Sequence, residues 1–139
     1  MSAALAYRHD RSAASLVFEL KTGAYNTESL IEFLTAFHHH FAGDKVTLIW
    51  DGLPSHRSNA MKAWIARQRS WLVVERLPGY APDLNPVELL WGNVKGVELA
   101  NLCPETIEEA RQAAEAGLQR AGRDYQLCFN FLDHTGLVL

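Results

Sequence analysis

Runs of apolar residues, short or alternating, predict four strands along the chain. Residues 3–7 and 15–20 are two such runs, and the polar residues 9–12 between them predict a hairpin connection and antiparallel pairing. Residues 46–50, Val-Thr-Leu-Ile-Trp, are almost all apolar, as expected of an interior strand buried on both faces. Residues 71–74 predict a further strand after an intervening helix. A strand, helix, strand unit therefore follows the hairpin.

Apolar residues spaced three and four apart predict five helices. Thr27 is expected to cap the first, whose stripe ends before Gly43, and Asn85 followed by Pro86 is expected to open the third. Pro78, Gly79 and Pro82 predict an extended loop before that third helix. The predicted helical ranges are 27–42, 58–68, 85–99, 104–119 and 125–132. Strands alternating with helices in this order indicate an α/β fold.

The length and composition set limits on the class of protein. A chain of 139 residues that is 48% hydrophobic can form one compact domain, and no repeat, linker or domain boundary is visible. No apolar run approaches the roughly 20 residues that a membrane span needs, so we expect a soluble, cytoplasmic protein. Cys103 and Cys128 lack metal-ligand spacing and are expected to be reduced, packed thiols.

The net charge argues against a general nucleic-acid-binding field, and the run of histidines argues against a shared metal site. A formal net charge of −3 gives the chain no general basic field, so any contact with nucleic acid must come from a local patch or a partner. His38, His39 and His40 are successive helical residues about 100° apart, so they cannot jointly face one ion. We expect them at a solvated helix end, where partial positive charge suits the helix dipole.

Two acids stand where metal-ion chemistry would need them. Asp51 ends the apolar strand 46–50, and carboxylate oxygens at a strand end are ligands that Mg²⁺ prefers, although Asp before Gly52 and Pro54 is also an ordinary turn former. Glu88 occupies the third position of a helix, where a capping box and the helix dipole also favour an acid. Both roles can hold together, because a first-turn Glu projects from a fixed backbone.

The two acids lie inside a sequence pattern with many fixed positions. The second acid belongs to the run Leu-Pro-x-Tyr-x-Pro-x-Leu-Asn-Pro-x-Glu-x-x-Trp at residues 77–91, and the first begins Asp-Gly-Leu-Pro-Ser-His at residues 51–56. In these motifs the chain resembles the mariner superfamily of DDE transposases, most closely its bacterial insertion-sequence branch. The resemblance implies an RNase H-like mixed sheet with flanking helices, and residues 1–139 as part of the catalytic domain.

The resemblance also implies roles for single residues. Asp51 would be the second catalytic carboxylate and Glu88 the third, together holding two Mg²⁺ or Mn²⁺ ions, with His56 the histidine that follows the second acid. Lys95 resembles the family's lysine on the face of Glu88; it is expected either to contact a DNA phosphate or to be a solvated surface lysine. Tyr80 either stacks on DNA or packs its loop. Trp91 is expected in the core, like Trp64, with the border of the site as its alternative.

One part of the family pattern has no counterpart in this sequence. The family's first catalytic acid lies on a first, central strand upstream of the segment resembling residues 3–7, and its DNA-reading helix-turn-helix lies further upstream. Asp10 is the only acid near the start, and it sits in the hairpin connection. With two of three carboxylates we expect poor binding of the metal pair and little activity alone. Strands without their central neighbour are also expected to re-pair or dimerise.

Three functions remain open from the sequence. The chain is the catalytic part of a DNA transposase, completed by an upstream-frame polypeptide that supplies the first Asp and the helix-turn-helix, or it is a non-catalytic remnant that at most pairs with intact copies. The third is an unrelated α/β hydrolytic domain with a similar strand-end acid. The length of the Pro-Asn-Pro-Glu motif argues against the third.

Overall fold

The computed structural model describes residues 1–21, 23–79 and 81–139. These residues form an α/β structure with four strands and five α-helices. The elements are β1 (Ser2–Tyr7), β2 (Ala14–Glu19), α1 (Thr27–His40), β3 (Val46–Trp50), α2 (Asn59–Arg67), β4 (Leu72–Arg76), α3 (Pro86–Val94), α4 (Ile107–Arg123) and α5 (Tyr125–Thr135). The chain divides into two compact units, Met1–Thr22 with Pro82–Leu139 and Gly23–Ala81, although no boundary between them was predicted.

The first unit, Met1–Thr22 with Pro82–Leu139, packs three helices on a hairpin. Strands β1 and β2 pair antiparallel, with Leu5 opposite Leu16. Both of these leucines pack against a buried cluster on α3, α4 and α5. The cluster consists of Leu90, Val94, Leu118, Ala121 and Phe131. Removing this apolar surface from water is the main force that holds the hairpin to the helices.

The second unit, Gly23–Ala81, is a parallel strand pair with two helices. Strand β3 pairs parallel with β4, and Val46 lies opposite Leu72. Parallel pairing requires a crossover, which α2 supplies with Met61 and Trp64 buried. The indole of Trp64 meets that of Trp71 edge to face at 6.4 Å, so the expectation of Trp64 as a core residue is confirmed.

The strands show both kinds of pairing that the sequence predicted. Within the described residues, β1 and β2 form an antiparallel two-stranded sheet, and β3 and β4 form a separate parallel one. Each strand therefore has one backbone partner in this part of the chain and keeps one edge without a ladder. The expectation that β3 is an interior strand buried on both faces was wrong, because Thr47 and Ile49 are exposed.

Several predicted boundaries differ from the structure for local reasons. Helix α1 is capped by Asn26 rather than Thr27, because the Asn26 carboxamide accepts from the Ser29 N–H while the Ser29 hydroxyl accepts from the Asn26 N–H. The fourth helix begins after Thr106, whose hydroxyl accepts from the Glu109 N–H, and not at Pro104. The third is α-helical only to Val94 and continues as a π-helical turn, Lys95–Leu99.

The two cysteines lie in different environments. Cys128 is buried and its thiol donates to the Ala121 carbonyl at 3.3 Å, as expected of a packed thiol. Burial raises the pKa of the Cys128 thiol. Cys103 is exposed, so its prediction as a packed thiol was wrong.

A membrane span would require a long, continuously apolar helix. No helix in the described residues has that length and character.

Candidate functional site

The strand-end acid is held by its own loop. Asp51 follows the last residue of β3, and its Oδ1 atom accepts a hydrogen bond from the Leu53 N–H at 3.2 Å. Its side chain is 46% exposed, which leaves the second carboxylate oxygen open to solvent. Asp51 therefore forms the expected turn, and this turn uses only one of its two carboxylate oxygens.

His56 contacts the same carboxylate. Its Nδ1 atom lies 2.9 Å from Asp51 Oδ1 and 3.0 Å from the Asp51 carbonyl oxygen. Both oxygens can only accept, so Nδ1 must carry a proton. The side chain is only 12% exposed, and the contact fixes one edge of the carboxylate.

The imidazole of His56 is in turn held in place by an aromatic ring. The indole of Trp50 stacks on it with the ring centroids 4.1 Å apart and the planes 4° apart. Trp50 immediately precedes Asp51, so the same strand end supplies both the carboxylate and the ring that orients its hydrogen-bond donor. The sequence reading missed this contact, although a Trp before the acid and a His five residues after it were both visible.

The loop that carries His56 is tied to the start of α1. Residues Pro54–His56 form a 3-10 turn, in which the His56 N–H donates to the Leu53 carbonyl at 2.9 Å. The Thr27 hydroxyl lies 2.8 Å from that of Ser58, which caps α2. The first turns of α1 and α2 therefore hold this loop from both sides.

Glu88 lies in the first turn of α3 as predicted, but without the capping box. Asn85 caps the helix by accepting from the Val87 N–H at 3.2 Å. The Asn85 N–H donates to the Pro82 carbonyl at 3.0 Å, so it is not available to Glu88. Glu88 is exposed, and in the described part of the chain its carboxylate makes no hydrogen bond or ion pair.

Lys95 follows the last residue of α3 and is exposed. Its backbone keeps the α-helical conformation and its N–H reaches the Trp91 carbonyl, so seven residues after Glu88 it lies close to the same helix face. Trp91 is half-buried and packs against the core cluster of the first unit, which confirms it as a core residue.

Arg120 of α4 holds the π-helical turn Lys95–Leu99 in place through Glu98. Arg120 donates from Nη2 to Glu98 Oε2 at 3.0 Å and to Asn93 Oδ1 at 2.7 Å. The hydrogen bond from Arg120 to Glu98 holds the pKa of the Glu98 carboxyl below its usual range. Gly117 lies against the pair, since a Cβ there would stand 2.6 Å from Glu98 Oε2. Sequence reading missed this group because its members are up to 27 residues apart.

Tyr80 lies outside the described residues. Asp10 accepts from the Ser12 N–H at 3.0 Å within the hairpin, and hydrogen bonds from Ser12 lower its pKa. His38, His39 and His40 lie at the end of α1 as predicted, and His39 and His40 are exposed. His38 is half-buried and stacks on Trp71 at 3.9 Å, so its prediction as a solvated residue was wrong.

The structure brings Asp51 and His56 into contact and carries Glu88 and Lys95 on one helix. Within residues 1–21, 23–79 and 81–139 no three His, Cys, Asp or Glu side chains gather as a metal-binding group. Asp51 and Glu88 nonetheless offer open carboxylate oxygens, the donor type that Mg²⁺ and Mn²⁺ take.

Solved structures with the same fold were found. A crystal structure of the catalytic domain of Mos1 mariner transposase matches with 19% identity and a TM-score of 0.61, covering 88% of this chain and 62% of that chain. Structures of the Mos1 transposase catalytic domain and raltegravir, one with Mn and one with Mg, match at TM-scores of 0.62 and 0.61, with 19% and 18% identity. They cover 88% and 89% of this chain and 63% and 65% of theirs.

These matches show a shared fold. The chain has the α/β fold of an RNase H-like transposase catalytic domain, and it spans less than two thirds of the length of each solved domain. No curated protein sequence matched. The sequence profile of the DDE superfamily endonucleases matches residues 3–111, which is most of the chain. The protein therefore belongs to the DDE superfamily endonuclease family.

Proposed function

We propose that this chain is the carboxy-terminal part of the catalytic domain of a DNA transposase, of the bacterial insertion-sequence branch of the mariner superfamily. Its reaction is the metal-dependent cleavage of DNA at transposon ends and the joining of the freed 3′ hydroxyl to a target. Asp51 and Glu88 are its second and third catalytic carboxylates. A cytoplasmic protein would have direct access to that DNA in a bacterial cell.

The observation that carries this proposal is the state of the Asp51 carboxylate. One oxygen is fixed by the Leu53 N–H and His56, and the other is open to solvent. A ligand carboxylate held by hydrogen bonds on one side is what a metal site requires, because orienting the ligand beforehand lowers the cost of binding the ion. A turn-forming Asp needs the Leu53 contact and has no need of a largely buried histidine.

Glu88 supports the same function. Its carboxylate is exposed and is not used as a helix cap, although Asn85 and Pro86 place it where a capping box could form. Mg²⁺ or Mn²⁺ bound by these acids would activate the attacking water and stabilise the leaving oxygen. The relatives solved with Mn and with Mg agree with these two ions. Lys95, near the face of Glu88, is proposed to contact a DNA phosphate.

The first acid is proposed to come from an upstream polypeptide. Strands β1 and β3 each keep one edge without a ladder in the described residues, and such edges accept an added strand. A strand ending in Asp, with a helix-turn-helix before it, would supply both the first carboxylate and the DNA-reading module. Without it the same edges favour pairing between two copies of this chain.

The second candidate is a non-catalytic remnant that acts only by pairing with intact transposase. The open edges of β1 and β3 favour it as much as they favour completion by a strand. The two candidates differ in one outcome, because only the enzyme gains metal-dependent cleavage when the missing strand is added.

Cleavage of supercoiled plasmid DNA tests the proposal. The purified chain is assayed in Mg²⁺ and in Mn²⁺, with the product of the upstream reading frame added or withheld. Asp51→Asn and Glu88→Gln should each abolish nicking by the completed protein. Asp83→Asn is the matched control, since it removes one negative charge from an exposed acid five residues before Glu88. Absence of nicking in every combination would support the remnant.

A further inference from the structure

The segment that follows Asp51 carries positive charge and no acid. Residues 52–74 contain four basic residues and no Asp or Glu, in a chain that has 16 acidic residues and a formal net charge of −3. The four are Arg57, Lys62, Arg67 and Arg69. The protein is acidic as a whole, but residues 52–74 form a local positive segment that starts in the same loop as His56.

All four basic side chains are exposed and uncommitted. Within the described residues, none of them makes a side-chain hydrogen bond or an ion pair. The first unit differs, since its arginines at 11, 111 and 120 pair with Asp133, Glu108 and Glu98. Three arginines of that unit are thus neutralised internally, while the positive charge in residues 57–69 stays available to a partner.

The four residues follow helix α2 from end to end. Arg57 precedes the cap Ser58, and Arg69 follows the C-cap residue Gln68. Met61 and Trp64 are buried, so Lys62 and Arg67 flank the opposite, exposed face of the helix, which otherwise carries small side chains. Nine residues of helix extend about 13 Å, which is about four nucleotide steps of one DNA strand at ~3.4 Å per step.

We propose that these four residues form a phosphate-binding surface for the DNA backbone, here named the α2 surface. The inference rests on the proposed function, because DNA is the polyanion on which the candidate carboxylates would act. It also explains how an acidic chain holds DNA: contact comes from one local surface and not from the field of the whole protein. Because the α2 surface begins six residues after Asp51, a bound strand is held beside that acid.

The test compares two variants that remove the same charge. Lys62→Gln with Arg67→Gln neutralises the centre of the α2 surface, and Arg111→Gln with Arg123→Gln removes two positive charges from α4. Gln keeps a similar helix propensity, so both variants should fold. Binding of a fluorescein-labelled DNA duplex of mixed sequence is followed by fluorescence anisotropy at graded NaCl, without divalent metal.

The α2 variant should bind at least about tenfold more weakly, and the slope of log K against log[salt] should fall by about 1.8, or ~0.9 for each lost phosphate contact. The α4 variant should stay within twofold of the unaltered chain. Lys62→Arg with Arg67→Lys keeps the charge and should restore the slope. Equal losses in the α2 and α4 variants would overturn the proposal, and so would no loss in either, or no binding by the unaltered chain at low salt.

Failure of this inference can be told apart from failure of the proposed function. If the α2 variant keeps full DNA affinity while the completed protein still nicks plasmid, the enzyme stands and the α2 surface falls. If the α2 variant loses DNA affinity and no combination ever nicks plasmid, the α2 surface stands and the catalytic function falls.

Discussion

His56 and Asp51 form a fixed pair at the end of β3, with Nδ1 of the histidine 2.9 Å from Oδ1 of the aspartate. The ring cannot turn freely because Trp50 stacks on it, and the loop cannot move freely because Thr27 and Ser58 hold it. Hydrogen bonds of this kind orient a ligand carboxylate before the metal arrives.

Removing the imidazole should therefore weaken metal binding without removing a ligand. We expect His56→Ala to lower the Mn²⁺ affinity of the chain about 10- to 100-fold, the usual effect of losing a partner that orients a ligand. His56→Asn should retain much of the affinity, because its amide can donate from a place close to that of Nδ1. Isothermal titration with Mn²⁺ measures both, and equal affinities for all three proteins would contradict the role.

The indole of Trp50 is expected to act through His56. Trp50→Leu should lower Mn²⁺ affinity several-fold, because an aliphatic side chain cannot hold the imidazole plane, whereas Trp50→Phe keeps a flat ring and should lose less. Trp91→Phe, at a core position of the first unit, serves as the control for loss of an indole. An equal loss of Mn²⁺ affinity in Trp50→Leu and in Trp91→Phe would refute this prediction.

The ion pair of Glu98 with Arg120 should make stability depend on pH in a definite direction. The hydrogen bond from Arg120 lowers the pKa of Glu98 from its ordinary value of 4.5. A carboxyl with a lowered folded-state pKa stabilises the protein fully above its unfolded value, and this stabilisation is lost as the pH falls through the folded value.

Glu98→Gln should consequently reduce the free energy of unfolding by about 1 kcal/mol at pH 7, a modest figure because Arg120 is 38% exposed. The difference from the unaltered chain should shrink as the pH falls below the ordinary pKa of 4.5 and through the lower pKa of the folded state. Urea unfolding at pH 7 and pH 3 measures it. Glu108→Gln, which breaks a 3.7 Å surface pair with Arg111, should cost under about 0.5 kcal/mol. A Glu98→Gln effect that is the same at both pH values would contradict the ion-pair account.

Gly117 is expected to tolerate no side chain. Its added Cβ would lie 2.6 Å from Glu98 Oε2 and 2.9 Å from Val94 Cγ1, so Gly117→Ala must displace both side chains. We expect a loss of about 1–3 kcal/mol in the free energy of unfolding. Gly92→Ala, where no atom lies within 4 Å of the new Cβ, should instead gain about 0.5–1 kcal/mol from the lower helix cost of Ala. Thermal unfolding of both variants distinguishes the contact from a general glycine effect.

The element types could be read from the sequence because each has a strong local cause. The apolar run 46–50 and the cap Asn85 with Pro86 gave β3 and the start of α3 at the right residues. The wrongly predicted boundaries depended on which of several similar side chains caps a helix, as with Asn26 and Thr27 at the start of α1. The π-helical turn could not be foreseen, because it accompanies a contact between Glu98 and an arginine 22 residues away.

The site was predictable only as a set of residue types. The motif pattern identified Asp51, Glu88 and His56, and the structure adds the contact between Asp51 and His56 that the sequence could not give. The capping box expected for Glu88 does not form, since the Asn85 N–H is already bonded to the Pro82 carbonyl. The stacking of Trp50 was missed because strand-end tryptophans are ordinarily core residues, and nothing in the spacing of Trp50 and His56 marks a stacked pair.

Rescue by a thiophilic metal tests the central claim, that Asp51 and Glu88 bind the catalytic ions, most directly. Asp51→Cys and Glu88→Cys are assayed for plasmid cleavage with the upstream product present. Sulfur binds Mn²⁺ much better than Mg²⁺, so each variant should be inactive in Mg²⁺ and regain cleavage in Mn²⁺. Variants that cleave DNA normally in Mg²⁺, or that remain inactive in Mn²⁺ while the unaltered protein cleaves, would contradict metal binding by these two acids.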